Sequence, residues 1–143
     1  MKIHITTDYA IRVIGYLIQN ENEISSAVEM SENLGITYYY FIKMVTRLKN
    51  AGFIESIRGP IGGYRLTKHS ADITLYDIIQ TMEGDIHINR CLEDDRLCSK
   101  YCVNNQTCLI HNILEEVQNE LIAVLKSKRI SDIYKLKVSE LHE

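Results

Sequence analysis

Near the middle of the chain the apolar spacing changes from that of a helix to that of a strand, and the change turns on Gly59-Pro60-Ile61-Gly62-Gly63. On either side, Phe53 to Arg58 (FIESIR) and Gly63 to Thr67 (GYRLT) alternate in polarity as half-buried strands do. Three glycines offer positive φ and the proline fixes a corner, so the two segments are expected to fold back as a tight antiparallel hairpin.

What precedes the hairpin reads as three helices. From Asp8 to Gln19 the apolar residues Ala10, Val13, Ile14, Leu17 and Ile18 follow the helical period, with Thr6 or Thr7 as N-cap. Ser26-Ala-Val-Glu29 has the form of a capping box and opens a segment that runs to Leu34, where Gly35 suits a left-handed helix end. A third helix is expected from about Thr37 to Asn50, stopped by Gly52. Two short helices around a glycine, after a longer first helix, make a helix-turn-helix pattern. Followed at once by a basic hairpin, the pattern is that of a winged helix.

Beyond the hairpin, Thr74 to Met82 (TLYDIIQTM) reads as a short helix with Thr74 and Asp77 placed for a capping box. Residues 83–106 show no period. A long helix follows from about Thr107 to Lys128, roughly 30 Å at 1.5 Å per residue. Its residues Ile110, Leu114, Val117, Leu121 and Val124 form a heptad seam that Ile113, Ile122 and Leu125 broaden. A helix apolar on more than one flank calls for two neighbours, its own domain and a partner chain. A short helix from Ser131 to Leu136 is expected in the tail. The fold class is therefore mainly α with a small β-hairpin. A winged helix-turn-helix domain (1–82), a cysteine-rich ligand loop (83–106) and a dimerisation helix with its tail (107–143) are expected.

Composition bounds the function. A chain of 143 residues, 45% hydrophobic with one proline, has the length and apolar content of one packed domain or of a small domain with a long appendage. Its apolar runs are too short to span a bilayer, and MKIHITTDYAIRVIGYL does not read as a signal peptide, so a soluble, cytoplasmic protein with no membrane partner is expected. The net charge of −3 is unevenly spread: Lys43, Arg47, Lys49, Arg58, Arg65 and Lys68 face only Glu55 in the stretch they span. That basic stretch in an otherwise acidic chain marks where a polyanion can sit.

On the third helix Phe41, Met44, Val45 and Leu48 form one stripe, assigned to the core, and Tyr40, Lys43 and Arg47 form another, suited to a major groove. Of the adjacent tyrosines, Tyr39 and Tyr40 are expected to contact DNA and Tyr38 to pack inward. In the hairpin Arg58, Gly59, Pro60 and Arg65 are the candidates for a minor groove or its phosphates, with Arg65 equally readable as a solvated strand residue.

The four cysteines belong to one run, Cys91-x6-Cys98-x3-Cys102-x5-Cys108-x2-His111. Thiolates with an imidazole are the ligands that iron–sulfur clusters and zinc select. Cys108 and His111 lie three apart at the positive end of the long helix, which favours a bound thiolate or an anionic cluster. Only Cys98 and Cys102 approach the pair spacing usual for zinc. A two-iron or four-iron cluster is the first reading, zinc the second, and redox-sensing thiols the remaining one. No nucleotide-binding glycine loop precedes a helix, and an enzyme is not expected.

These features together resemble the IscR/NsrR/CymR (Rrf-two) family of winged-helix transcription regulators. The landmarks are Thr7-Asp8-Tyr9-Ala10, the helix end Leu48 to Gly52, Arg58-Gly59-Pro60-Ile61-Gly62-Gly63-Tyr64, and the cysteine loop leading into a long helix. The resemblance spans nearly the whole chain. It implies a homodimer that reads a palindromic operator on double-stranded DNA as a repressor. It also implies a cluster whose state changes DNA affinity, reporting iron–sulfur status, nitric oxide or redox. Cys102-x5-Cys108-x2-His111 fits the family's cluster pattern, whereas Cys98 after six residues and the additional Cys102 depart from it, which leaves open which of Cys98, Cys102 and His111 completes the ligand set. Ile42 and Lys43 replace an acidic residue and an amide common in that family's iron–sulfur members, so the operator sequence does not carry over. The alternatives are a cluster-free thiol or zinc sensor and a regulator that acts through a metabolic enzyme partner.

Overall fold

The computed structural model describes residues 1–67, 72–94 and 108–134. Its helices are α1 (Ile5–Gln19), α2 (Ala27–Leu34), α3 (Tyr38–Asn50), α4 (Leu75–Glu83), α5 (Arg90–Glu93) and α6 (Leu109–Ser127). The strands β1 (Ile54–Ile57) and β2 (Gly63–Leu66) pair antiparallel, Ile54 opposite Leu66 and Ile57 opposite Gly63. The fold class is as expected, mainly helical with one small hairpin.

Local signals set most of the boundaries. Ser26 accepts from Glu29 N–H at the start of α2, and Gly35 ends that helix at φ 66°. Thr37 caps α3, and Thr74 with Asp77 forms a complete capping box on α4. At α2 the box is only half made, because the Glu29 carboxylate turns to the hydroxyl of Tyr16, which donates to it at 2.8 Å.

The start of α1 differs from the expected Thr6 or Thr7 cap. The helix begins earlier, at Ile5, and its N-cap His4 supplies no side-chain acceptor. Glu83, at the far end of α4, takes that part: its Oε1 accepts from His4 N–H at 2.7 Å and from the buried Thr7 hydroxyl at 2.6 Å. A carboxylate at a helix N-terminus satisfies orphan amides and complements the dipole. Glu83→Ala is expected to lower unfolding free energy by about 1–3 kcal/mol in urea titration. Glu83→Gln, which keeps an acceptor oxygen, should lose less than half as much.

The core lies between α1, α3 and α4. Val13, Ile14, Leu17, Phe41, Val45, Leu48, Ile54 and Ile78 are all buried in it. The hairpin is fastened to this core twice. Phe41 and Tyr64 meet edge to face at 5.9 Å, and Tyr64 exchanges both backbone hydrogen bonds with Ser25, at 2.8 and 3.1 Å. Of the three hairpin glycines only Gly59 has positive φ, at 123°. Gly62 and Gly63 are required for space: a Cβ would lie 2.4 Å from Ile57 O at Gly62 and 2.3 Å from Ser25 O at Gly63.

After α6 the chain returns to the head. Leu75 N–H donates to Lys128 O and Ile130 N–H to Ile73 O, both at 2.9 Å, and Ile130 is fully buried. Tyr134 lies over Gly15 of α1, so closely that any Cβ at Gly15 would enter the ring. That accounts for a glycine in a helix interior, where it ordinarily costs about 1 kcal/mol against alanine.

Candidate nucleic-acid interface and ligand segment

Amphipathic patterning positions α3 as expected. Phe41, Met44, Val45 and Leu48 are buried, which turns the opposite side of the helix outward. Lys43 and Arg47 stand on that outer side. The tyrosines differ from expectation: Tyr38, Tyr39 and Tyr40 are 56%, 70% and 49% exposed, so Tyr38 does not pack inward. The reason is local, since Tyr38 is the first helical residue and Phe41, three positions on, takes the inward place. Tyr39 and Tyr40 meet edge to face at 5.7 Å. Burial pushes the Tyr64 phenol above its ordinary pKa, and the charge of the nearby Tyr38 phenol adds to the effect.

Arg47 is held in place, its Nη1 donating to Met82 O at 2.9 Å. In the hairpin the two arginines separate. Arg65 is paired with Glu55 directly across the ladder at 2.6 Å, which cancels much of its charge. Arg58 is exposed with no ion-pair partner among the described residues, and Gly59, Pro60 and the 85%-exposed Ile61 project beside it. The hairpin tip and the outer side of α3 thus carry the uncompensated cations Arg58, Lys43 and Arg47.

The ligand segment is described in part. Cys98 and Cys102 lie outside the described residues, as does Lys68 of the basic stretch. Cys91 sits in α5, a helical turn within the loop for which no period was expected, and its Sγ accepts from Asn89 Nδ2 at 3.3 Å. α6 starts at Leu109 instead of Thr107, because Cys108 itself is the N-cap: its Sγ accepts from His111 N–H at 3.4 Å. His111 is buried, and its Nδ1 has no hydrogen-bond partner among the described residues. A buried unpartnered ring nitrogen is a costly arrangement unless something binds it. Among the described residues no three His, Cys, Asp or Glu side chains converge.

Among the described residues α6 rests on the head by one flank. Gln118 Oε1 accepts from Ile88 N–H at 3.0 Å, and Lys126 Nζ lies 4.6 Å over the Tyr76 ring. The other flank carries Ile110, Ile113, Val117 and Val124, all exposed. Ile110, Val117 and Val124 fall seven residues apart, as a supercoil seam requires. No helix among the described residues is long and apolar enough to cross a membrane.

Comparison with known proteins follows the same outline. The Rrf2 family, described as an iron-dependent transcriptional regulator, matches residues 3–136. The HTH-type transcriptional regulator NsrR of Bacillus subtilis is 30% identical over 138 residues, covering 96% of this chain and 92% of its own. The structure of CymR, the global cysteine regulator of B. subtilis, has a TM-score of 0.71 at 27% identity, covering 95% of this chain and 98% of that one. IscR of T. potens shares the fold, with a TM-score of 0.72 at 24% identity over 94% of this chain and 87% of its own.

Proposed function

The chain belongs to the Rrf2 family of DNA-binding transcription regulators, whose members compared above are not enzymes, and from that premise we propose a homodimeric repressor of a palindromic operator, controlled by an iron–sulfur cluster. One observation carries the reading: α6 bears a thiol cap and a buried imidazole whose Nδ1 has no hydrogen-bond partner among the described residues, and an exposed apolar flank along its length. Two of the candidate ligands and the proposed partner contact thus share one helix.

The donors suit such a cluster. Cys108 and His111 would be held together by the first turn of α6; Cys91, which does not converge with them among the described residues, and Cys98 or Cys102 would have to close on them to complete the set. When bound, the cluster supplies reactivity toward oxidants and nitric oxide and a dependence on iron supply. The chain's own residues do the rest. The His111 N–H and the helix N-terminus stabilise a thiolate at Cys108. The bond from Ile88 to Gln118 ties the segment after α4 to α6. Two copies joined along Ile110, Leu114, Val117, Leu121 and Val124 present two α3 helices with two-fold symmetry, matched to a palindrome. Tyr39, Tyr40, Lys43 and Arg47 then face the major groove, and Arg58, Gly59 and Pro60 the adjacent minor groove. Arg65, charge-paired already, is the weakest of the candidates.

The test is anaerobic purification with iron and sulfide analysis, followed by operator selection and comparison of loaded with stripped protein. The loaded protein is expected to be brown, and the two forms to differ at least tenfold in operator affinity, about 1.4 kcal/mol of coupling. Equal affinities would remove the cluster from control. Colourless protein with stoichiometric zinc would favour the second reading, a cluster-free thiol or zinc sensor, in keeping with the likeness to a cysteine regulator.

A further inference from the structure

The outer side of α3 does not stand free. Tyr40, Lys43 and Arg47 form one wall of a crevice whose other wall is His4 and Thr6, at the start of α1, with Met44 and Met82 buried at its base. The polar residues that line the crevice carry hydrogen-bond donors, an ammonium, a guanidinium, two hydroxyls and an imidazole, and among the described residues no Asp or Glu lines it. Among the described residues the Lys43 ammonium has no ion-pair partner and the Thr6 hydroxyl no hydrogen-bond partner. Glu83 does not interfere, since its carboxylate is engaged by His4 N–H and Thr7 and lines a separate hollow with His87. Arg47, anchored to Met82 O, keeps that wall in position.

We propose that this crevice seats one backbone phosphodiester of the bound duplex, with Lys43 Nζ supplying the charge and the Thr6 hydroxyl a hydrogen bond. The inference rests on the DNA-binding reading above and adds two things to it. The N-terminal turn of α1 becomes part of the interface, and Lys43 becomes a residue that positions the duplex instead of reading a base edge. A phosphate contact carries no sequence information and releases a counterion, whereas a base contact does the reverse.

The experiment therefore uses a short mixed-sequence duplex beside the selected operator, over a series of salt concentrations. Lys43→Ala is expected to weaken both duplexes by a similar factor, about tenfold, and to lower the slope of log affinity against log salt by about one. Thr6→Val should weaken both about fivefold with the slope unchanged, and Thr6→Ser should restore binding. Because the two groups share one phosphate, the double variant Thr6→Val/Lys43→Ala should lose less than the product of the single losses. Loss on the operator alone with an unchanged slope would make Lys43 a base reader and overturn the proposal, as would wild-type affinity in Thr6→Val. A melting-temperature rise with inorganic phosphate over chloride at equal ionic strength, absent in Thr6→Val, would make the crevice a free-anion site and also overturn it. Wild-type protein that binds neither duplex would instead fail the DNA reading itself.

Discussion

Gly63→Ala is expected to lower the melting temperature by roughly 10 °C and to reduce operator affinity more than tenfold at temperatures where the variant is still folded. A Cβ at this position lies 2.3 Å from Ser25 O and 2.7 Å from the Ser25 carbonyl carbon, so backbone has to give way, not a flexible side chain. The two hydrogen bonds between Ser25 and Tyr64 are then lost, at about 1 kcal/mol each, in addition to the overpacking. Ser26, the next residue, caps α2, so the displacement enters the helix-turn-helix while it loosens the hairpin. Arg58→Ala separates grip from architecture. It leaves the hairpin backbone alone, and should weaken duplex binding several-fold while the melting temperature stays within about 1 °C. A Gly63→Ala variant with wild-type melting temperature and affinity would show that the hairpin is not held through Ser25.

The parts of the fold that were legible in the sequence are those whose cause is local. Gly35 and the Thr74–Asp77 box act within one turn of the helix they bound, and each does in the structure what its spacing implies. The buried stripe of α3 follows from the helical period alone. What escaped reading is set by residues far apart in the chain. Glu83 caps a helix that begins at Ile5, and no pattern within either segment announces the pairing. The sequence around Gly63 signals a turn, yet the constraint on this glycine is Ser25, which precedes α2. Tyr134 covers Gly15 only because the chain after α6 turns back on the head. In the candidate site, the basic stretch was visible as composition, but the Glu55–Arg65 ladder pair that removes one cation from it follows from strand register. The Thr6 side of the crevice had no signal beyond a hydroxyl near a helix start.

Cys108→Ala is expected to yield colourless protein from an anaerobic preparation, with iron and acid-labile sulfide falling to background. Two effects of the thiol are removed at once. As the proposed ligand, Cys108 would sit where a helix N-terminus and the His111 N–H favour a thiolate, one position before the first residue of α6. As an N-cap, its Sγ satisfies one of the helix's orphan amides, and loss of a cap costs about 1 kcal/mol. Cys108→Ser tells the two apart, because a hydroxyl still caps but is a poor ligand for iron. The serine variant should be as colourless as the alanine variant while its metal-free form melts with metal-free wild type. Metal-free Cys108→Ala should melt a few degrees lower. His111→Ala provides the complementary case. In the metal-free state it removes a buried Nδ1 with no partner among the described residues, so it should cost little stability, whereas in the loaded state it removes the proposed ligand and should speed cluster loss in air. A brown Cys108→Ala protein with full iron content would mean that the first turn of α6 does not hold the cluster.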